Sequence, residues 1–195
     1  MLGGVLWVLL VPLITLTYPG RTGWASVETI FSLAWEDYNK LLPIVLLLLL
    51  VGLTGLTAKH GRRSGSLGRV GLVVALFGLG LMLLGNVGEF WIAGGIRVGM
   101  TSAALVGWMS YSLGYLLLSI GLVLLGIAAL RKKLLPYGNA VPLTLGLRGF
   151  PIFFTVTSGV TLGMVLATLF GLGWILLGYS LWSQRGTAAQ PSRVR

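Results

Sequence analysis

The chain has no cysteine, a single histidine and only four acidic residues, against fourteen lysines and arginines. Without thiols it can form no disulfide, no thiolate metal site and no thiol nucleophile, and His60 alone cannot supply the two axial imidazoles of a haem held within one chain. The GxSxG and HExxH patterns of hydrolases and zinc proteases are missing too. No lysine falls in an apolar stretch, where a retinal Schiff base would need it, and no two carboxylates share such a stretch. Catalysis and a resident cofactor are therefore not expected. Charge is scarce overall: 9% of residues are charged and 56% are hydrophobic, with a mean hydropathy of +0.95. A water-soluble globule does not show that balance, so lipid is the expected solvent for most of the chain.

What is present is a series of long apolar runs. Residues 71–91, GLVVALFGLGLMLLGNVGEFW, carry no charge before Glu89, and about 20 helical residues at 1.5 Å each cross a hydrocarbon core of about 30 Å. The pattern predicts an all-α membrane protein, a bundle of six transmembrane helices at about residues 2–18, 41–58, 70–91, 103–130, 139–158 and 160–182. These form one bundle, 1–183, followed by a polar cytoplasmic tail, 184–195, expected to be disordered. Pro12 predicts a kink or a boundary in the first helix. Residues 19–40 hold three of the four acids, Glu28, Glu36 and Asp37, and read as an extramembrane loop. A short interfacial helix capped by Ser26 and anchored by Trp24, Trp35 and Tyr38 is expected there. The fifth run contains Pro142, Gly146, Arg148, Gly149 and Pro151, and it reads as a discontinuous span.

Glycine recurs at every seventh residue in two of these runs, as Gly71, Gly78 and Gly85 and as Gly107, Gly114 and Gly121, the latter followed by Ala128. Seven residues bring a straight helix within about 20° of two full turns, so each series makes a smooth stripe where another backbone can approach, and the third and fourth helices are expected to pack against each other or against matching neighbours along these stripes. Lys59, Arg62, Arg63 and Arg69 follow the second helix, Arg131, Lys132 and Lys133 follow the fourth, and Arg185, Arg193 and Arg195 lie in the tail. Six crossings place all of these on one side. The positive-inside rule then puts both termini in the cytoplasm, in a plasma (inner) membrane, with the basic loops against anionic lipids. Because the net charge of +10 is spread over short loops, nucleic acid is not an expected partner. The halves also resemble each other: LFGLGLMLLG at 76–85 returns as LFGLGWILLG at 169–178, and the same offset aligns KLLP at 40–43 with KLLP at 133–136. Partners three spans apart have opposite orientation, which predicts an inverted three-plus-three repeat.

Few polar residues lie within the runs, and each is a candidate because ionisable groups at membrane depth are costly. Glu89 is expected to face the bundle near its outer end, as a proton or cation site with Asn86 beside it, or in a structural pair with Arg97. Arg148, near the middle of the fifth run, needs a carboxylate, a set of carbonyls or a route to the interface. Trp7 and Trp174 are expected to pack against other apolar groups. The function expected from this inventory is non-enzymatic, an accessory, structural or assembly partner of other membrane-protein subunits. The alternative is a small secondary transporter using Glu89 and Arg148.

Overall fold

Runs of leucine, valine and glycine leave the backbone to satisfy its own hydrogen bonds, which a helix does within one segment. The computed structural model describes residues 1–17, 29–61, 63–95, 101–134, 138–155 and 160–187, with side chains for all of these except His60, 151–155, 160–163 and 184–187. They form six helices: α1 (Leu2–Leu16), α2 (Trp35–His60), α3 (Gly65–Asn86), α4 (Ser102–Lys132), α5 (Val141–Thr155) and α6 (Val160–Thr187). α3 runs on into a π-helical turn, Val87–Ile92. Among the described residues the extended pairing is limited to an isolated bridge between Ile30 and Leu33. Four stretches are long and apolar enough to cross a membrane: Trp35–Lys59, Gly65–Ile92, Ser102–Lys132 and Met164–Ser183. α1 and α5 have 15 residues each, about 22 Å of helix.

Local chemistry accounts for the helix ends. Thr101 caps α4 by accepting the Ala104 N–H at 3.1 Å, and Lys133 closes it in the left-handed conformation, φ 48°. α2 begins at Trp35, well before the expected start at residue 41. Asp37 accepts the Ala34 N–H at 3.0 Å, Ile30 and Leu33 exchange two backbone hydrogen bonds of 3.0 Å, and the Tyr38 hydroxyl donates to the Ile30 carbonyl. Trp35, Glu36, Asp37 and Tyr38 therefore make the first turn of α2 and not part of a separate interfacial helix; Trp24, Ser26 and Glu28 lie outside the described residues. α5 also differs from expectation. It is continuous through Gly146, Arg148, Gly149 and Pro151, and Pro142 sits in its first turn, where no amide donor is required. α1 likewise runs on past Pro12. α6 continues to Thr187, so the tail's first residues are helical.

Each helix packs on its neighbours in the chain, and α6 returns to α1, closing a ring. Leu46, Leu53, Leu72, Leu79, Met82, Leu118, Leu122, Leu145 and Phe170 fill its centre. The broadest interface joins α3 to α4, and there the two glycine stripes meet antiparallel. A Cβ on Gly71 would fall 2.7 Å from the Gly121 carbonyl oxygen, one on Gly114 2.6 Å from the Gly78 oxygen, and one on Gly85 2.6 Å from the Gly107 oxygen. No side chain fits at such distances, so the seam is backbone against backbone. The same device recurs elsewhere: Gly146 of α5 lies on the Ser119 carbonyl of α4, and Gly4 of α1 lies on the Gly171 carbonyl of α6. Gly146 and Gly149, expected as helix breakers, are thus contact points with α4. Gly80, in contrast, has nothing within 4 Å of a Cβ. Gly114→Ala is therefore expected to destabilise the bundle by about 1–3 kcal/mol through overpacking. Gly80→Ala should stabilise it by about 0.5–1 kcal/mol through helix propensity, and chemical unfolding of the two variants in one detergent measures the difference.

Candidate functional site

Polar side chains inside this bundle concentrate where α3 meets α4. Asn86 ends α3 on the same buried face as Leu79 and Met82, and it is 1% exposed. Glu89 follows in the π-helical turn and is 6% exposed. The wider turn lets the chain follow α4 closely, because Gly107 brings its Cα side against Glu89: a Cβ there would lie 2.6 Å from the Glu89 nitrogen. The turn ends at Ala93, whose N–H reaches the Gly88 carbonyl at 3.0 Å, and Gly95 donates to the Glu89 carbonyl at 2.8 Å. Gly94 and Gly95 both have positive φ, 77° and 74°, which glycine adopts without a side-chain clash.

Two further helices complete the surroundings. From α4, Tyr111 has its backbone against Gly85, the residue before Asn86, where a Cβ on Gly85 would lie 2.8 Å from the Tyr111 Cα; Tyr115 follows one turn deeper. From α2, Trp35 meets Phe90 edge to face with ring centroids 5.0 Å apart, and the Lys40 carbonyl accepts the Trp91 indole N–H at 3.3 Å. Glu36, also buried, has its Cγ 3.0 Å from where a Gly95 Cβ would be. Asn39 donates to the Trp35 carbonyl at 2.8 Å. Polar atoms outnumber their partners here. The Asn86 Oδ1 and the Tyr115 hydroxyl are fully enclosed and have no hydrogen-bond partner, a condition that buried polar atoms in proteins rarely tolerate. Among the described residues, no group of three or more acids or histidines gathers that could hold a metal ion.

Below this polar patch lies an aromatic cluster. Phe170 of α6 sits at the centre with Trp7, Tyr115 and Trp174 around it, at centroid distances of 5.3, 5.7 and 6.2 Å. The Trp7 indole donates to the Ala167 carbonyl at 3.0 Å, tying α1 to α6, whereas the Trp174 indole nitrogen has no partner. Trp174 also borders a cavity of about 30 Å³ between α1, α2 and α6, lined mainly by apolar atoms.

The other candidates from the sequence are dispersed. Arg148 is exposed on α5, and α5 packs on α4 and α6, while the turn bearing Glu89 packs on α2, α3 and α4. The structure thus does not set Arg148 beside Glu89. Arg97 and Arg62 lie outside the described residues. Lys59, Arg63, Arg69, Arg131, Lys132 and Lys133 are all exposed, and Lys132 reaches Gly65 across the α2–α3 connection, so the two basic loops share one end of the bundle. Tyr111 and Tyr115 were not singled out in the sequence, and Glu36, expected in an extramembrane loop, is instead buried in the first turn of α2. The tyrosine pair at i, i+4 within an apolar run was the available signal, while Glu36 gave none because it lies beside Asp37 in a polar stretch.

The two tryptophans permit a direct measurement of the indole hydrogen bond. Trp7→Phe and Trp174→Phe remove equal volumes from the same cluster, so Trp7→Phe is expected to be the costlier by about 1 kcal/mol, the worth of one buried hydrogen bond, in equilibrium unfolding. Compared with known proteins, the chain matches no family model, no curated protein and no solved structure.

Proposed function

We propose that the chain is a six-span protein of the plasma membrane with both termini cytoplasmic, serving as a non-enzymatic accessory or assembly subunit of a larger membrane complex. The observation that carries this reading is Arg148. It projects from the middle of α5 on the exposed side, beside outward-facing Leu147, and among the described residues no acid pairs with it. A guanidinium outside the bundle at that depth is costly unless an anionic group from another molecule meets it or its stem carries it to the interface. The filled centre agrees with a role in packing more than with a conduit. The common end of the two basic loops supports the orientation and a contact with anionic lipid headgroups through Lys59, Arg63, Arg69 and Arg131–Lys133.

A second reading, a small carrier, draws on the matched halves. Gly78 and Gly85 of α3 meet α4, and their counterparts Gly171 and Gly178 of α6 meet α1. An inverted repeat that relates α1–α3 to α4–α6 requires that correspondence. In this reading Glu89 acts without Arg148, because the two residues are on elements that do not share an interface.

Purification from native membranes in mild detergent separates the readings. An accessory subunit should migrate with a larger partner, and Arg148→Ala should release that partner while leaving the helix content and unfolding midpoint unchanged. A monodisperse chain, free of other proteins and indifferent to Arg148→Ala, would sink the assembly reading.

A further inference from the structure

A carboxylate removed from water must be neutralised or paired, since an isolated charge in an apolar interior is penalised by several kcal/mol. Glu89 is close to that position, 6% exposed in the π-helical turn, and among the described residues no cationic side chain forms an ion pair with it. Next to it on α3, Asn86 holds an amide oxygen that is enclosed and unpartnered, and Tyr111 of α4, whose backbone lies against Gly85, carries a phenolic hydroxyl. Three oxygen-bearing side chains of different kinds are therefore carried by residues at the junction of α3 and α4, with one ionisable carboxylate among them. Two helices whose backbones are in contact fix this set from both sides, and π-helical turns in α-helices are frequent at functional positions. Divalent ions favour several carboxylates, and no such group exists among the described residues. One charge and neutral oxygens suit a single positive charge.

We propose that Asn86, Glu89 and Tyr111 form a binding site for one small monovalent cation, either an alkali metal ion or an exchangeable proton. Of the other titratable and charged groups on the elements packed against the turn, Glu36, Asp37, Tyr38 and Lys40 of α2 and Tyr115 of α4 are on its side of the bundle, whereas Lys59 and His60 of α2, Arg69 of α3, and Arg131 and Lys132 of α4 lie toward the opposite ends of their helices. Asp37 is engaged with the Ala34 N–H, and Lys40 is partly exposed at the end of the bundle. Occupancy would tie α3 to α4 at the end of the glycine seam, so bound cation and helix packing should be linked. This site is independent of the assembly reading, because it faces inward while Arg148 faces out.

The test uses the full chain, purified in an uncharged detergent. For a metal ion, the unfolding midpoint should rise saturably with sodium, lithium or potassium chloride relative to choline chloride at equal ionic strength. For a proton, infrared difference spectra between acidic and alkaline buffer should show a carboxylic-acid carbonyl band that Glu89→Gln abolishes. Tyr111→Phe, which keeps the ring and removes only the hydroxyl, should weaken whichever response is found several-fold, and Asn86→Leu at least tenfold. The wild-type salt response, and its weakening by Tyr111→Phe and Asn86→Leu, are readable even if Glu89→Gln does not fold. A midpoint indifferent to all four salts, together with infrared difference spectra from which Glu89→Gln removes no carboxylic-acid band, would overturn the proposal. So would Asn86→Leu raising stability with the cation or proton response intact, the result expected when a buried amide merely lacks a partner.

Discussion

The approach of α3 to α4 along their paired glycine stripes is the contact on which the other arrangements depend. With no Cβ between them, carbonyl oxygens of one helix lie over the backbone of the other. That permits dispersion and weak Cα–H···O contacts along the whole interface. These are individually small, and they matter here because helices that are apolar on nearly every face gain little from hydrophobic burial against one another when lipid is the alternative. A repeating small residue gives the pair both its register and its separation. Displacing one member by a methyl group opens the seam along its length, since backbone, unlike a side chain, has nowhere to rotate.

The same proximity creates the polar junction. Where the stripe ends, Gly107 draws α4 against Glu89, and α3 adopts a π-helical turn to follow it. Asn86 and Glu89 are thereby buried where α3 meets α4, close to the Tyr111 backbone that lies against Gly85. Tight packing and an unsatisfied polar group are thus two results of one geometry. Satisfying Asn86 with another side chain would need space that the close backbone contact does not leave.

Arg148 presents the opposite case. Its helix uses Gly146 and Gly149 to lie on Ser119, and that fixes which side of α5 faces the bundle. The arginine is left outside, next to leucine. Inward-facing Glu89 and outward-facing Arg148 therefore answer to different surroundings, one to what can enter the bundle and the other to what can bind around it.

The sequence by itself determined the helical class, the apolar runs, the heptad glycine stripes, the gathering of positive charge in alternate connections and the short roster of polar residues. These depend on composition and periodicity, which are local and are read along one strand of text. Helix ends were less legible: α2 starts earlier than its apolar run because capping by Asp37 and the turn at Ile30–Leu33 stabilise residues that are polar in composition. The unbroken course of α5 was also hidden, since proline in a first turn and glycine at a contact look in sequence like the same residues at a break. Only the tertiary structure decided which of the expected partners each stripe meets, that α6 closes the ring on α1, that Glu36 is buried and that Tyr111 lies across from the end of α3. Those facts concern residues far apart in the chain, and no periodicity within one helix specifies which face of another will lie against it.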